Sequence, residues 1–334
     1  MSQLPELVQA LLDPQAYPEK PASIELIQTQ ISYVFVAGDL VYKVKKPVDF
    51  GFLDYSTLDK RLALCLKEVQ LNQRLCADAY LGVVPVSVDN GRFVMDGDGD
   101  IREYAVKMRV LPRESMMDVL LPQGKVTDDM IRRVAARLAD FHAHAATGGT
   151  IDEIGGIDSV IENVEENFTQ TEKHIGDLVS VGTFEQITSF ARRFYTEKAD
   201  LFHQRVKDHH IRDCHGDLHA AHVCFCDDIC IYDCIEFSDR LRYIDTAADI
   251  AFLAMDLDHY ERRDLSNLFI DSYVISSGDT GLLELLNFYK CYRACVRFKV
   301  NCFQYDDEFI PVAEKERIAQ TARGYAELAA SYTE

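Results

Sequence analysis

The stretch CHGDLHAAHVCFCDDICIYDCIEF, residues 214–237, carries three histidines, five cysteines and five acids in two dozen positions. VCFC and ICIYD are two short β-rich runs separated by Asp227-Asp228, the pattern of a tight hairpin, and they follow directly on a loop, HGDLHAAH. That arrangement places Asp217 and His222 at the entry of the hairpin and lets Asp233 leave from its other end, so the three converge on one edge. A zinc cage needs ligands paired at spacings such as CxxC or HxxxH, free to close tetrahedrally. Here CFC and CIYDC lie inside strand pattern, where thiols fill a core. A phosphoryl-transfer loop fits better, because it needs a carboxylate to orient or deprotonate an acceptor hydroxyl, ligands for Mg²⁺ and a cation on the phosphates. Asp217 suits the first role and Asp233 the second.

The cation is found upstream. In VYKVKK the side chains of Val41, Lys43 and Lys45 share one strand face. The helix that follows carries Leu64, Glu68, Leu71 and Leu75, an apolar stripe interrupted by one acid. Burying that acid without a partner would cost about 3–5 kcal/mol. A lysine partner is therefore expected, the alternative being a solvated Glu68 at the rim. Around these residues the apolar alternation predicts strands in SIELI, SYVFV and DLVYKV with a turn at Gly38-Asp39, a helix from an N-cap at Ser56, and strands in LGVVPVSV, GRFVM and IREYAVKMRV. The run DGDGD fails as a calcium loop, since Ile101 and Lys107 stand where Gly and Glu are required. Beyond Leu111-Pro112 the pattern turns helical except for the hairpin. The expected fold is therefore α+β and bilobal: residues 1–112 an antiparallel sheet with one helix, residues 113–334 mostly helical and holding the loop 214–237.

The 334 residues include 35 Lys plus Arg against 55 Asp plus Glu, a net charge of −20 that repels phosphate backbones and anionic lipid. Nucleic acid and membrane surfaces are thus poor partners, and a cationic or neutral small molecule suits the field better. Apolar residues are 48% and charged residues 27%, the balance of a globular protein. No apolar run of about 18 residues and no leader pattern occur, so a cytoplasmic setting with ten reduced, mostly buried cysteines is expected.

VYKVKKP, KEVQLNQRL, HGDLHAAH, IYDCIEF and IDTAADIAFLAMDL, in that order, resemble the aminoglycoside phosphotransferase-like branch of the protein-kinase-like fold. The closer similarity is to a bacterial group of proteins in which such a kinase domain is often fused to a P-loop ATPase domain. No GxxxxGK[ST] occurs here, so a separate ATPase partner is the corresponding expectation. The resemblance implies ATP and Mg²⁺ as cofactors, Asp217 as catalytic base and His215 as a brace of its loop. It also implies Asp233 as metal ligand and a phosphate-gripping lysine paired with Glu68. Lys43 is preferred to Lys45 because the residue two positions earlier roofs the purine, and Val41 suits that place. The turn TQIS, ending at Ser32, would cover the phosphates, and Met108 to Val110 would be the hinge whose backbone meets adenine.

One position departs from the family pattern: His222 stands where Asn is expected. Its neutral imidazole can ligate a divalent ion and His222 is taken as a metal ligand, but imidazole favours softer metals than Mg²⁺, so Glu236 or His219 would compensate, or Mn²⁺ would be used. The departure opens two alternatives, a catalytically degenerate nucleotide-binding protein and a transferase of AMP. Asp249 is expected to brace the catalytic loop, with Asp245 at a helix N-terminus. His142 and His144 read as core or surface residues, and Asp256, Asp258 and Glu261 as candidate contacts for a cationic acceptor.

Overall fold

The structure is a computed structural model that describes residues 4–51, 53–226 and 228–334. Asp227, half of the expected hairpin turn, lies outside the described residues. By its internal contacts the chain divides into two compact units, Met1–Met116 with Val223–Ser238, and Met117–His222 with Asp239–Glu334.

The first unit is built on a six-stranded antiparallel sheet in the order β1-β2-β3-β6-β4-β5: β1 Ile24–Gln28, β2 Ser32–Ala37, β3 Leu40–Lys45, β4 Tyr80–Asp89, β5 Arg92–Met95 and β6 Asp100–Arg109. All six match apolar alternations in the sequence. Gly38, at φ +65°, makes the β2–β3 turn, a left-handed conformation that a side chain would strain. The alternation sorts β3 cleanly. Tyr42 and Val44 join Phe35, Val86, Met95 and Ala105 in a core closed by Val8, Leu11 and Tyr17 from the N-terminal segment, which leaves Val41, Lys43 and Lys45 on the opposite face.

That face meets the helix Leu58–Cys76, whose N-cap is Thr57, accepting from the Lys60 N–H, and not Ser56 as the sequence suggested. Ser56 bonds Asp54 instead. The buried side of the helix is less apolar than its periodicity implied, because Arg61, Glu68 and Asn72 lie on it beside Cys65, Leu71 and Leu75. Each is paired: Arg61 with Glu103 at 2.8 Å, Asn72 with the Cys234 N–H at 2.9 Å, and Glu68 with lysines.

The hairpin belongs with this sheet and not with the helical part in which the sequence order placed it. Its strands Val223–Phe225 and Ile229–Ile231 pair antiparallel, and Cys230 forms a disulfide with Cys76 at the end of the helix, with Cα atoms 4.6 Å apart. That bond also corrects the expectation of ten reduced thiols. The other eight cysteines are thiols, seven of them buried.

The second unit is helical. Its centre is Thr246–His259, in which every residue from Thr246 to Leu257 is buried; the sequence TAADIAFLAMDL is apolar all round apart from two acids, as a helix enclosed on every side must be. Asp128–His144, Arg263–Ser277, Leu286–Asp306 and Val312–Ser331 are the long helices arranged with it. Asp245 caps the central helix through the Ala247 N–H at 2.8 Å, and Arg205 pairs with it at 2.6 Å. Among the described residues no helix is long and apolar enough to cross a membrane.

Candidate active site

In the first unit two lysines share one buried acid. Lys43 Nζ lies 3.0 Å from Glu68 and 2.9 Å from Asp233, while Lys45 Nζ lies 2.6 Å from Glu68 and also bonds Glu236 and the Tyr55 hydroxyl. The expected Lys–Glu68 pairing is therefore present for both. The two sites differ in access. Lys45 and Glu68 are sealed, whereas the side chains of Lys43 and Asp233 keep 16% and 41% of their surface. Burial alone would drive both ammonium groups toward neutrality, but Asp233 and Glu68 around Lys43, and Glu236 and Glu68 around Lys45, raise both well above the ordinary lysine value. Burial likewise works against ionised Glu68, yet Lys43 and Lys45 outweigh it and hold its carboxyl below the ordinary range. Asp233 has φ +62°, a left-handed backbone that costs a non-glycine residue of order 1 kcal/mol and that concentrates at functional positions. Its amide donates to the Tyr80 hydroxyl at 3.3 Å.

Three expectations for this unit need correction. Glu236, assigned to a metal, is the buried counter-ion of Lys45 and a partner of Tyr55, both through Oε1, so the carboxylate already neutralises a cation inside the cluster. Ser32 is fully buried directly opposite Lys45 in the β2–β3 register, beneath the exposed turn residues it was expected to extend. In the hinge segment Met108 is buried and pairs with Val41 and Tyr80, while the Arg109 and Val110 N–H groups bond the carbonyls of Ala79 and Asp39 at 2.8 and 2.9 Å. The Val110 amide is thus already spent within the sheet.

In the second unit the loop from His215 to His222 is strung along the central helix by two acids. Asp249 accepts from the N–H groups of His215 and Gly216 at 3.0 and 2.9 Å, and Asp256, seven residues on and so on the same helix face, accepts from the Ala220 N–H at 2.8 Å. His142 bonds the same Asp249 oxygen as the His215 N–H, at 3.1 Å, and is itself bonded to the Tyr273 hydroxyl, while Arg293 donates to the Gly216 carbonyl at 3.0 Å. The His215 ring accepts the Asp217 N–H at 3.2 Å. Asp217 is thereby fixed with its carboxylate partly exposed, 3.6 Å from His219 Nε2 and from His222 Nδ1. Burial pushes its pKa up, but His219, His222 and Arg297 more than offset this and hold the carboxyl well below the usual range. Asp217 is an anion at any physiological pH.

The sequence reading gave His142 as a core or surface residue without its bond to Asp249, did not single out Arg293, and offered Asp256 to an acceptor where it holds the loop. An i, i+7 relation between Asp249 and Asp256 on an otherwise apolar helix was the available signal. Asp258, the other acid proposed to hold a cationic acceptor, is paired with Lys290 at 2.8 Å and with the Tyr332 hydroxyl at 2.6 Å.

The donors present fit a hard cation only in part. Mg²⁺ keeps several waters and takes one or two carboxylates, which suits the half-exposed Asp233. It does not suit the His222 nitrogen, and Glu236 is already committed to Lys45 through Oε1.

Each unit thus carries residues that the resemblance singled out: in the first a lysine bound to both a helix glutamate and a left-handed aspartate, in the second an aspartate held in an acid-strung HGDLH loop. Residues 52–285 match the phosphotransferase enzyme family, and the chain belongs to that family. It is 35% identical over 283 residues to uncharacterized proteins of Mycobacterium tuberculosis (strain ATCC 25618 / H37Rv) and Mycobacterium bovis, covering 84% of this chain and 55% of theirs. The chain thus spans about half the length of the curated relatives it matches. Among solved structures it is similar in fold to a choline/ethanolamine kinase family protein from Mesorhizobium loti, at TM-score 0.54 and 11% identity, covering 98% of each chain. It is also similar to the amicoumacin kinase hAmiN, solved in complex with AMP-PNP, Ca²⁺ and Ami, at TM-score 0.54 and 13% identity, covering 96% of this chain and 92% of that one.

Proposed function

We propose that this chain transfers the γ-phosphate of ATP to a hydroxyl of a small molecule, in the compartment that supplies ATP, the cytoplasm. The observation that carries the reading is Lys43, paired at once with Glu68 and Asp233 and still partly exposed, where its twin Lys45 is sealed. On this reading Lys43 grips the nucleotide phosphates and Asp233 holds the divalent ion, Mg²⁺ or Mn²⁺. That ion, when bound, supplies charge neutralisation for the phosphates. Met108 and its neighbours flank the base, and Asp217 orients the acceptor hydroxyl and receives its proton. A carboxylate with so low a pKa is a weak base, so its contribution lies mainly in holding the hydroxyl in line, with positioning and electrostatics carrying most of the rate. The net charge of −20 favours a cationic or neutral acceptor. A separate P-loop ATPase is the partner the resemblance implies.

The test is a screen of metabolite pools with γ-labelled ATP, run on the wild type and on Asp217→Asn. Transfer of label by the wild type, a fall of about 10²–10⁴-fold in the variant, and an unchanged nucleotide-induced rise in melting temperature are expected. Full turnover by Asp217→Asn would remove that residue from its role. His222 in place of Asn favours a second reading, a degenerate nucleotide binder, which predicts the thermal shift without any labelled product. An adenylylated product in the mass spectrum would instead identify AMP transfer.

A further inference from the structure

The HGDLHAAH loop holds two histidines that the proposed phosphoryl transfer does not require. Asp217 Oδ2 stands 3.6 Å from His219 Nε2, too far for a hydrogen bond. The His219 and His222 rings lie close together, with centroids 3.9 Å apart and planes tilted by 35°. One ligand atom from each of Asp217, His219 and His222 falls within 4.8 Å of the others. Atoms bound at 2.0–2.1 Å to a tetrahedral ion sit about 3.3 Å apart, so shifts of about 1 Å or less bring all three onto one centre. We propose that Asp217, His219 and His222 form a site for one borderline-soft divalent cation of the Zn²⁺ class, and that its occupation withdraws Asp217 from the acceptor.

Two features besides proximity support a built site. The backbone that carries the three ligands is pinned at His215, Gly216 and Ala220 by the buried acids Asp249 and Asp256, and at Gly216 again by Arg293, so little chain entropy is lost on binding. An Nδ1–H donated by His222 to the Asp217 carbonyl at 2.9 Å also orients the ring and leaves Nε2 as its ligating nitrogen, the outer-shell contact that typically fixes a ligating imidazole. The donor set of two imidazoles and one carboxylate leaves coordination positions open for water and discriminates against Mg²⁺, which prefers oxygen. No thiolate takes part.

The clause on Asp217 rests on the proposed phosphotransferase function; the site itself does not. Chelator-stripped, nucleotide-free protein is titrated with Zn²⁺ by calorimetry and with Co²⁺ by visible absorption. One ion per chain is expected, with d–d bands but no thiolate charge-transfer band, and at least tenfold weaker binding in His222→Asn and in His219→Gln. His222→Asn restores the residue expected at that position, and so guards against a fold defect in the more buried His219 variant. Failure to take up a stoichiometric ion, a thiolate band, or equal affinity in a folded His222→Asn would overturn the site. In the transfer assay micromolar Zn²⁺ should abolish labelling by the wild type, and insensitivity there despite uptake would overturn the withdrawal of Asp217. Absence of any labelled product would count against the phosphotransferase reading while leaving the metal titration decisive for the site.

Discussion

The acids around the candidate site are held by different donors in the two units, and the difference has mechanical meaning. In the first unit Glu68, Glu236 and the more exposed Asp233 face ammonium groups, so they fix where positive charge stands. In the second unit Asp249 and Asp256 face main-chain N–H groups, so their burial fixes the path of a loop. A carboxylate facing a lysine can be deprived of its partner by one substitution, whereas a carboxylate facing amides keeps its donors until the acid itself is changed or protonated.

The largest effect should come where partner loss is most complete. Lys45→Met strands Glu236 and removes one of two cations from Glu68, both sealed from water. Removing one member of a buried pair costs about 3–5 kcal/mol, to be read from urea unfolding at pH 7. A loss below about 1 kcal/mol would mean that the cluster is wetter than its burial indicates.

Next stands the covalent tie that joins the helix of Glu68 to the hairpin of Asp233. Closing a loop across 154 residues of sequence separation stabilises by about 2–5 kcal/mol. Reductant should lower the unfolding midpoint of the wild type and leave that of Cys76→Ser unchanged. Cytoplasmic reductants keep most such pairs open, so peptide mass spectrometry of protein prepared without reductant supplies the direct check, a linked Cys76–Cys230 fragment.

The amide-bound acid should report itself through pH. Burial raises the Asp249 carboxyl, but His142, His215 and Arg293 bring it down to about 2 from 3.8. A depressed folded-state pKa gives stability that is complete above the unfolded value and lost as pH falls through the folded one, here between about pH 4 and 2, and worth about 2 kcal/mol. Because other carboxylates titrate in the same window, the observable is the difference between wild type and Asp249→Asn, which should shrink by that amount from pH 4.5 to pH 2. A constant difference would exclude a special role for the ionised form.

The sheet strands were legible because a half-buried strand writes its burial in alternate residues, and Lys43 with Lys45 opposite Glu68 followed from the same period. Ser32 was misread although alternation contained the answer: it pairs with Lys45 across β2 and β3, so it shares the face of a sealed residue. The attachment of the hairpin to the sheet was hidden, since it rests on contacts such as Asn72 with Cys234 and Cys76 with Cys230, which no local pattern encodes. Acidic runs were the weakest signal, because MDLDHYE reads alike whether its charges are solvated or, as with the buried Asp256 and the half-buried Asp258, bonded within the fold.

The smallest change in stability should accompany the most informative change in binding. Lys43→Met takes one cation from Glu68, which keeps Lys45, and one from Asp233, whose side chain is 41% exposed and can be solvated. The expected loss is about 1 kcal/mol, in the range of accessible ion pairs and well below that of Lys45→Met. Nucleotide binding should respond in the opposite order. If Lys43 is the phosphate cation, its replacement abolishes the melting-temperature rise produced by ATP with Mg²⁺, while a folded Lys45→Met retains a measurable part of it. The reverse ranking, with nucleotide response surviving at Lys43→Met and vanishing at Lys45→Met, would transfer the role to the sealed lysine and require the Glu236 cluster to open on binding.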